Sequence, residues 1–242
     1  MKSILPYEDY IYFGDLKNSP YGQKSREQLI ELTSVIFNYF KKEDVKAVVM
    51  ACNTTSANVY EEYKNSFDYK IYPIIQNCAQ VISELPIKKL GVFATSATIA
   101  SGAYKREINK YNPNIEVFEM SCPGWVQIVE QNKQEDSLSI ELIKENLDRM
   151  LENKPDKIIL GCTHYPFLLP VLSKFAPLDM FIDPSVYFAE YIKNDLEKRG
   201  LLNDNGGNEE FLVSANPNEF KIAAKMFYEL EEAPHLIEFA DV

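Results

Sequence analysis

The chain has 242 residues, 46% of them apolar, and a formal net charge of −11; this supports one large or two modest packed domains and excludes a disordered protein. The acidic balance, with no block of Lys and Arg, argues against a nucleic-acid partner, because phosphate contacts need clustered cations. No apolar run approaches the roughly 18–20 residues of a membrane span, and the opening MKSILPYEDY lacks a signal-peptide core, so a cytoplasmic protein without a membrane partner is expected.

Four cysteines without an export signal read as reduced thiols rather than a disulfide framework. With no CxxC pair and only two histidines, no metal site is expected.

In chain order, Asp9 to Phe13 is a short aromatic strand followed by a polar loop, Gly14 to Gly22, that can touch a ligand. From an N-cap at Ser25, Leu29, Leu32, Val35, Ile36 and Tyr39 recur at helical spacing. Val45 to Met50 is a β-branched strand ending at Ala51-Cys52-Asn53-Thr54-Thr55-Ser56, and a helix follows to about Lys64. Strand 70–75, helix 77–84 and strand 90–94 come next. Thr95-Ser96-Ala97-Thr98 then opens a helix running through Tyr104 and Ile108. A strand over 115–120 is broken by Ser121-Cys122-Pro123-Gly124, and helices over 125–130 and 137–152 lead to strand 157–160. That strand ends at Gly161-Cys162-Thr163-His164-Tyr165-Pro166, which opens another helix-like segment. Strand 180–182, helix 186–199, the loop 203–208, strand 211–214 and a last helix over 218–230 complete the chain.

Strands alternating with helices predict an α/β fold with parallel sheets. The echo of strand-Cys-Asn-Thr near residue 50 and strand-Cys-Thr-His near residue 160 predicts two similar doubly wound lobes related by pseudo-symmetry, with both thiols on one cleft. Lobe one is expected over 1–76 plus 187–242 and lobe two over 77–186; a single doubly wound sheet is the alternative.

Ligands bind such sheets at the carboxyl ends of strands, where helix N-termini offer free N–H groups and favour a thiolate. Cys52 and Cys162 both sit at strand-to-helix junctions, each followed by hydroxyl or amide side chains, whereas Cys78 and Cys122 read as small buried hydrophobes. His164 lies too close in sequence to Cys162 for a simple Cys-His hydrolase pair but can poise that thiol. On the residues alone, Glu130 and Asp15 read as solvated carboxylates, His235 as surface, and the Tyr21-Gly22 turn as structural or ligand-binding. Two thiols rimmed by hydroxyls and amides, with no phosphate loop or cofactor fingerprint, suit stereoinversion at carbon. One thiolate removes a proton from one face and the other thiol returns one to the opposite face.

IYFGD...PYG, ACNTTSA, ATSATIASGAY, CPGWVQIVE, ILGCTHYPFL and Ile182-Asp183-Pro184-Ser185 together resemble the glutamate racemases, in order along nearly the whole chain. The resemblance implies a cofactor-independent interconversion of L- and D-glutamate that supplies D-glutamate for bacterial peptidoglycan, with substrate held between two α/β lobes, and a possible homodimer. It implies Cys52 and Cys162 as the catalytic acid/bases, His164 as the assistant beside Cys162, and Glu130 as a further aid to proton transfer. Asn53, Thr54 and Thr163 would hold the substrate amino and carboxylate groups, Tyr21 and Gly22 its other end, and Thr95 and Thr98 further parts of the cleft. The family also opens with a strand ending in an Asp-Ser-Gly turn that has no counterpart here; Met1 to Asp9 resembles the end of the helix after it. A first lobe lacking that strand, with exposed apolar surface and a pocket incomplete beside Cys52, is therefore expected. A non-catalytic amino-acid-binding or regulatory protein, and a racemase of aspartate or another amino acid, are the competing readings.

Overall fold

A computed structural model of the protein describes residues 1–225 and 227–238. The first part of the chain forms β1 (Tyr10–Gly14), α1 (Arg26–Lys42), β2 (Ala47–Met50), α2 (Asn53–Tyr63), β3 (Lys70–Pro73) and α3 (Ile74–Ile82). The middle forms β4 (Lys89–Ala94), α4 (Ser96–Ser101), α5 (Ala103–Tyr111), β5 (Glu116–Ser121), α6 (Trp125–Glu130), α7 (Ser137–Leu151), β6 (Lys157–Gly161), α8 (Leu169–Leu172) and β7 (Phe181–Ile182). The last part forms α9 (Pro184–Lys198), β8 (Glu209–Val213), α10 (Pro217–Ala224) and β9 (His235–Leu236).

Every strand pairing among the described residues is parallel. The larger sheet, in the order β5-β4-β6-β7, carries the Cys162 lobe; in the Cys52 lobe the described strands form two separate sheets, β1-β8-β9 and β2-β3. In register, Leu90 lies beside Val117 and Lys157, and Val48 beside Ile71.

Alternation along β4 builds three layers around the larger sheet. Leu90, Val92 and Ala94 face a core with Ile75, Cys78 and Ile82 of α3, Tyr104 and Ile108 of α5, and Phe188, Ile192 and Leu196 of α9. Phe93 points to the opposite face, where Ile158 and Leu160 of β6 meet Trp125, Ile143, Leu147 and Leu172. Both faces of the sheet are covered, which explains why its strands read as continuous apolar runs. Trp125 packs on Phe93 at 4.9 Å and edge-on to Tyr165 at 5.0 Å between ring centroids, pairings worth ~0.5–1.5 kcal/mol each beyond their area. In the other lobe Leu29 and Phe37 of α1 close over Val48 and Met50 of β2 and Ile71 of β3. A Ser25/Gln28 capping box starts α1, and Lys41 and Lys42 in its last turn oppose the helix dipole.

Four local expectations are corrected. The run expected as a strand to Ile75 turns helical at Ile74, since an unbroken apolar run serves a buried strand or helix equally. The single helix expected through Tyr104 is divided at Gly102, whose φ of 60° ends α4 and starts α5. After Cys162 come a 3-10 turn at Tyr165–Leu168 and the four-residue α8, because Pro166 and Pro170 supply no N–H donor to a continuous helix. The last helix, expected to Leu230, ends at Ala224, whose carbonyl accepts from the N–H groups of Phe227 and Tyr228; position 226 of that expectation lies outside the described residues. The two-residue β9, whose His235 is exposed, has no sequence signal of its own.

Among the described residues no helix is long and apolar enough to cross a membrane.

Candidate active site

Each key cysteine lies just past a parallel strand. Cys52 follows β2 and is the N-cap of α2; it is half-buried and its side chain makes no capping bond. Cys162 follows β6 and is buried, at 8% exposure. The two are near enough that charge on Cys52 contributes to the Cys162 pKa.

The Cys162 thiol belongs to a chain of polar groups. Its Sγ lies 3.8 Å from His164 Nδ1, and His164 Nε2 lies 3.3 Å from Glu130 Oε1 at the end of α6. Thr163 Oγ1 is 3.4 Å from the same Nδ1. Glu130, read from residues alone as merely solvated, is exposed yet has its carboxylate within hydrogen-bond reach of the His164 ring.

The ionisation expected from a helix N-terminus does not hold at Cys162. Burial pushes its thiol up to about 12; the His164 backbone N–H pulls it down, the Cys52 and Glu130 charges raise it, and the Thr163 hydroxyl lowers it. Desolvation of the charged form is the largest of these effects, and the segment that follows is a short 3-10 turn rather than a full helix. Cys78 and Cys122 are fully enclosed and likewise pushed up by burial, Cys78 donating to the Pro184 carbonyl.

Three threonine hydroxyls join the lobes. Thr54 Oγ1 lies 3.0 Å from Thr95 Oγ1 and 3.4 Å from Thr98 Oγ1, and Thr95 and Thr98 are 3.0 Å apart. Gly22 is pressed against this group, since a Cβ there would lie 2.9 Å from the Thr95 Cβ. Asn53 is buried at 2% exposure, with its Oδ1 accepting the Tyr104 hydroxyl at 2.7 Å.

Asp15 is corrected from a solvated carboxylate to the hub of the loop after β1. It accepts the Tyr21 hydroxyl at 2.5 Å, the Ser214 hydroxyl at 2.7 Å and the Asn18 amide at 3.0 Å. Tyr21 keeps its proton far above the usual phenol range, through burial, then the Asp15 hydrogen bond and charge, then the Cys52 charge. The sequence reading assigns no hub role to Asp15 and no site role to Asn18, Ser214 or Tyr104. Only the spacing of Asp15 and Asn18 to Tyr21 within one polar loop points to those two, whereas Ser214 is 199 residues from Asp15.

Among the described residues no group of three or more His, Cys, Asp or Glu side chains could hold a metal ion. Two parallel α/β lobes, each with a thiol just past the end of a strand and with hydroxyl and amide side chains beside it, carry the groups needed to move a proton on and off carbon.

The family model for Asp/Glu/Hydantoin racemase matches residues 3–190. The chain is 37% identical over 226 residues to glutamate racemase 2 of Caldanaerobacter subterraneus, covering 92% of this chain and 84% of that protein. It superposes on the crystal structure of glutamate racemase from Francisella tularensis in complex with D-glutamate with a TM-score of 0.89 and 32% identity, covering 99% of this chain and 90% of that one. On glutamate racemase from Thermus thermophilus in complex with β-chloro-D-alanine the TM-score is 0.88 at 28% identity, covering 98% and 90%. The chain therefore belongs to the Asp/Glu/hydantoin racemases, and within them to the glutamate racemases.

Proposed function

We propose that the protein interconverts L- and D-glutamate by a two-thiol mechanism without a cofactor. The thiolate of one cysteine takes the α-proton as the Cα–H bond breaks, and the electron pair passes into the α-carboxylate. The other thiol then gives its proton to the opposite face, which leaves the two cysteines with exchanged protonation states. Burial holds Cys162 as the thiol, so in one direction it starts as the acid and Cys52 as the base. In the other direction Cys162 must lose its proton, and His164, backed by Glu130, is placed to take it.

In this proposal Asn53, Thr54, Thr95, Thr98 and Thr163 bind the amino and carboxylate groups, and Tyr21 and Gly22 the far carboxylate. The observation that carries it is the pair of thiols at the carboxyl ends of β2 and β6, close enough for their charges to interact. The proposal further divides the chain at 76/77 and 186/187, and takes the protein as a cytoplasmic homodimer supplying peptidoglycan precursor, for which light scattering tests the dimer.

The direct test follows circular dichroism of either glutamate enantiomer with the purified chain in deuterated water. Turnover with deuterium at the α-carbon is expected, and Cys52→Ser and Cys162→Ser should each abolish it. Turnover surviving both substitutions refutes the two-thiol mechanism, and glutamate binding without α-deuteration would favour a binding-only protein.

A further inference from the structure

Asn53 is the first residue of α2 and is 2% exposed. Its Oδ1 accepts from the Tyr104 hydroxyl at 2.7 Å, while its buried Nδ2 has no partner among the described residues. A carboxamide can sit either way round. Reversed, it would donate Nδ2 to the tyrosine oxygen, and both Asn53 Oδ1 and the Tyr104 proton would be left without partners inside the protein. The Tyr104 hydroxyl has no other acceptor recorded among the described residues, so the observed orientation is the better satisfied one.

Tyr104 is itself held from the other cysteine segment. Its ring is fully buried in α5 and lies on Gly161, the residue before Cys162; a Cβ on Gly161 would come within 2.9 Å of Tyr104 Cε2 and of the Phe93 carbonyl oxygen. The smallest residue at the end of β6 thus makes room for a ring whose hydroxyl reaches the residue after Cys52. Because burial holds the Tyr104 proton well above the usual phenol range, the hydroxyl remains a donor wherever the enzyme works.

We propose that Tyr104, seated on Gly161, is a positioning residue that locks the Asn53 carboxamide with its NH2 free, as a ready donor to a carboxylate oxygen of the substrate bound between Cys52 and Cys162. The inference rests on the proposed racemase reading for the identity of that substrate. An unpaired buried donor costs the empty protein stability, and a bound carboxylate removes that cost. The hydroxyl therefore acts on substrate affinity through Asn53 and touches no reacting atom.

The test is a double-mutant cycle on purified full-length chain, with KM and kcat in both directions from circular dichroism. Tyr104→Phe keeps the ring and removes only the hydroxyl. It should raise KM by about tenfold, the scale of one hydrogen bond to a charged group, with a much smaller change in kcat. Asn53→Ala should raise KM at least as much, and adding Tyr104→Phe to it should change nothing further. An unchanged KM for Tyr104→Phe, or effects that multiply in the double variant, overturns the proposal. Should Tyr104→Phe not fold, Asn53→Asp retains an oxygen for the Tyr104 hydroxyl and removes the NH2. A wild-type KM in that variant is equally fatal. If the unsubstituted chain does not racemise glutamate, the racemase reading fails by itself, and calorimetric glutamate affinity of the same variants decides the role of Tyr104. A chain that neither turns over nor binds glutamate overturns both.

Discussion

Replacing Asp15 by alanine strips the loop after β1 of a shared acceptor: the Tyr21 hydroxyl at 2.5 Å, the Ser214 hydroxyl at 2.7 Å and the Asn18 amide at 3.0 Å all lose their partner. A hydrogen bond to a charged group contributes roughly 1.5–3 kcal/mol, so three fully buried ones would sum to about 4.5–9 kcal/mol. Asp15, Asn18 and Tyr21 are only half-buried, however, and water can replace much of what is removed. The expected loss is therefore about 2–3 kcal/mol, close to one charge-assisted bond. Urea unfolding measures it as a lower midpoint at unchanged slope. In the same variant Tyr21 loses the carboxylate that holds its hydroxyl, and with Tyr21 in its proposed binding role KM for glutamate should rise about tenfold, the equivalent of ~1.4 kcal/mol. Asp15→Asn, which keeps one oxygen, should lose about half as much stability, on the order of 1 kcal/mol. Tyr21→Phe serves as the reference, because Asp15→Ala added to it should raise KM little further. An Asp15→Ala protein with unaltered urea midpoint and KM refutes the hub reading. So does a KM effect independent of Tyr21.

Other outcomes follow from the same geometry. Glu130→Gln removes the charge 3.3 Å from His164 Nε2 and, on the proposed mechanism, should slow α-proton exchange from the enantiomer assigned to Cys162 by about 10–100-fold while sparing the other; separate exchange rates in deuterated water check this. Gly22→Ala places a methyl 2.9 Å from the Thr95 Cβ, an overpacking that should cost about 1–3 kcal/mol and weaken glutamate binding, visible together in thermal melts and KM. The raised pKa of Cys162, about 12 against an ordinary 9.0, sets the sign of a stability effect. Because the folded state holds this proton more tightly, the stabilisation is complete below pH 9 and is lost as pH rises from 9 toward 12. Between pH 9 and 10.5 the intact protein should lose up to about 2 kcal/mol more than Cys162→Ala, on the scale of 1.36 kcal/mol per pH unit. Equal losses in pH-dependent urea unfolding would refute the burial of that thiol.

Much of this protein is local enough to be read along the chain. The parallel strands around Val48, Val92 and Ile159 are apolar runs bounded by polar turns, α1 announces itself by Ser25 and an apolar stripe, and Cys52 and Cys162 both stand just past the end of a strand. These signals depend on residues within a few positions of one another, so propensity and periodicity carry them. Where propensity was ambiguous, packing decided, and Ile74 and Ile75 became the buried start of α3; the break after Cys162 is local, since Pro166 and Pro170 bring no N–H donor.

The chemistry of the cleft depends on distances that do not exist until the chain folds. Asp15 resembles any loop carboxylate until Ser214 arrives from 199 residues away, and Tyr104 resembles any core aromatic until Asn53, 51 residues earlier, meets its hydroxyl. The proton affinity of Cys162 has the same origin. Its place at a strand end favours a thiolate, but burial under the second lobe's side chains favours the thiol, and desolvation is the larger effect. Residue types and their order thus determined which groups were available for proton transfer. Only the packing of the two lobes decided which of them touch, which are shielded from water, and on which atom the proton rests.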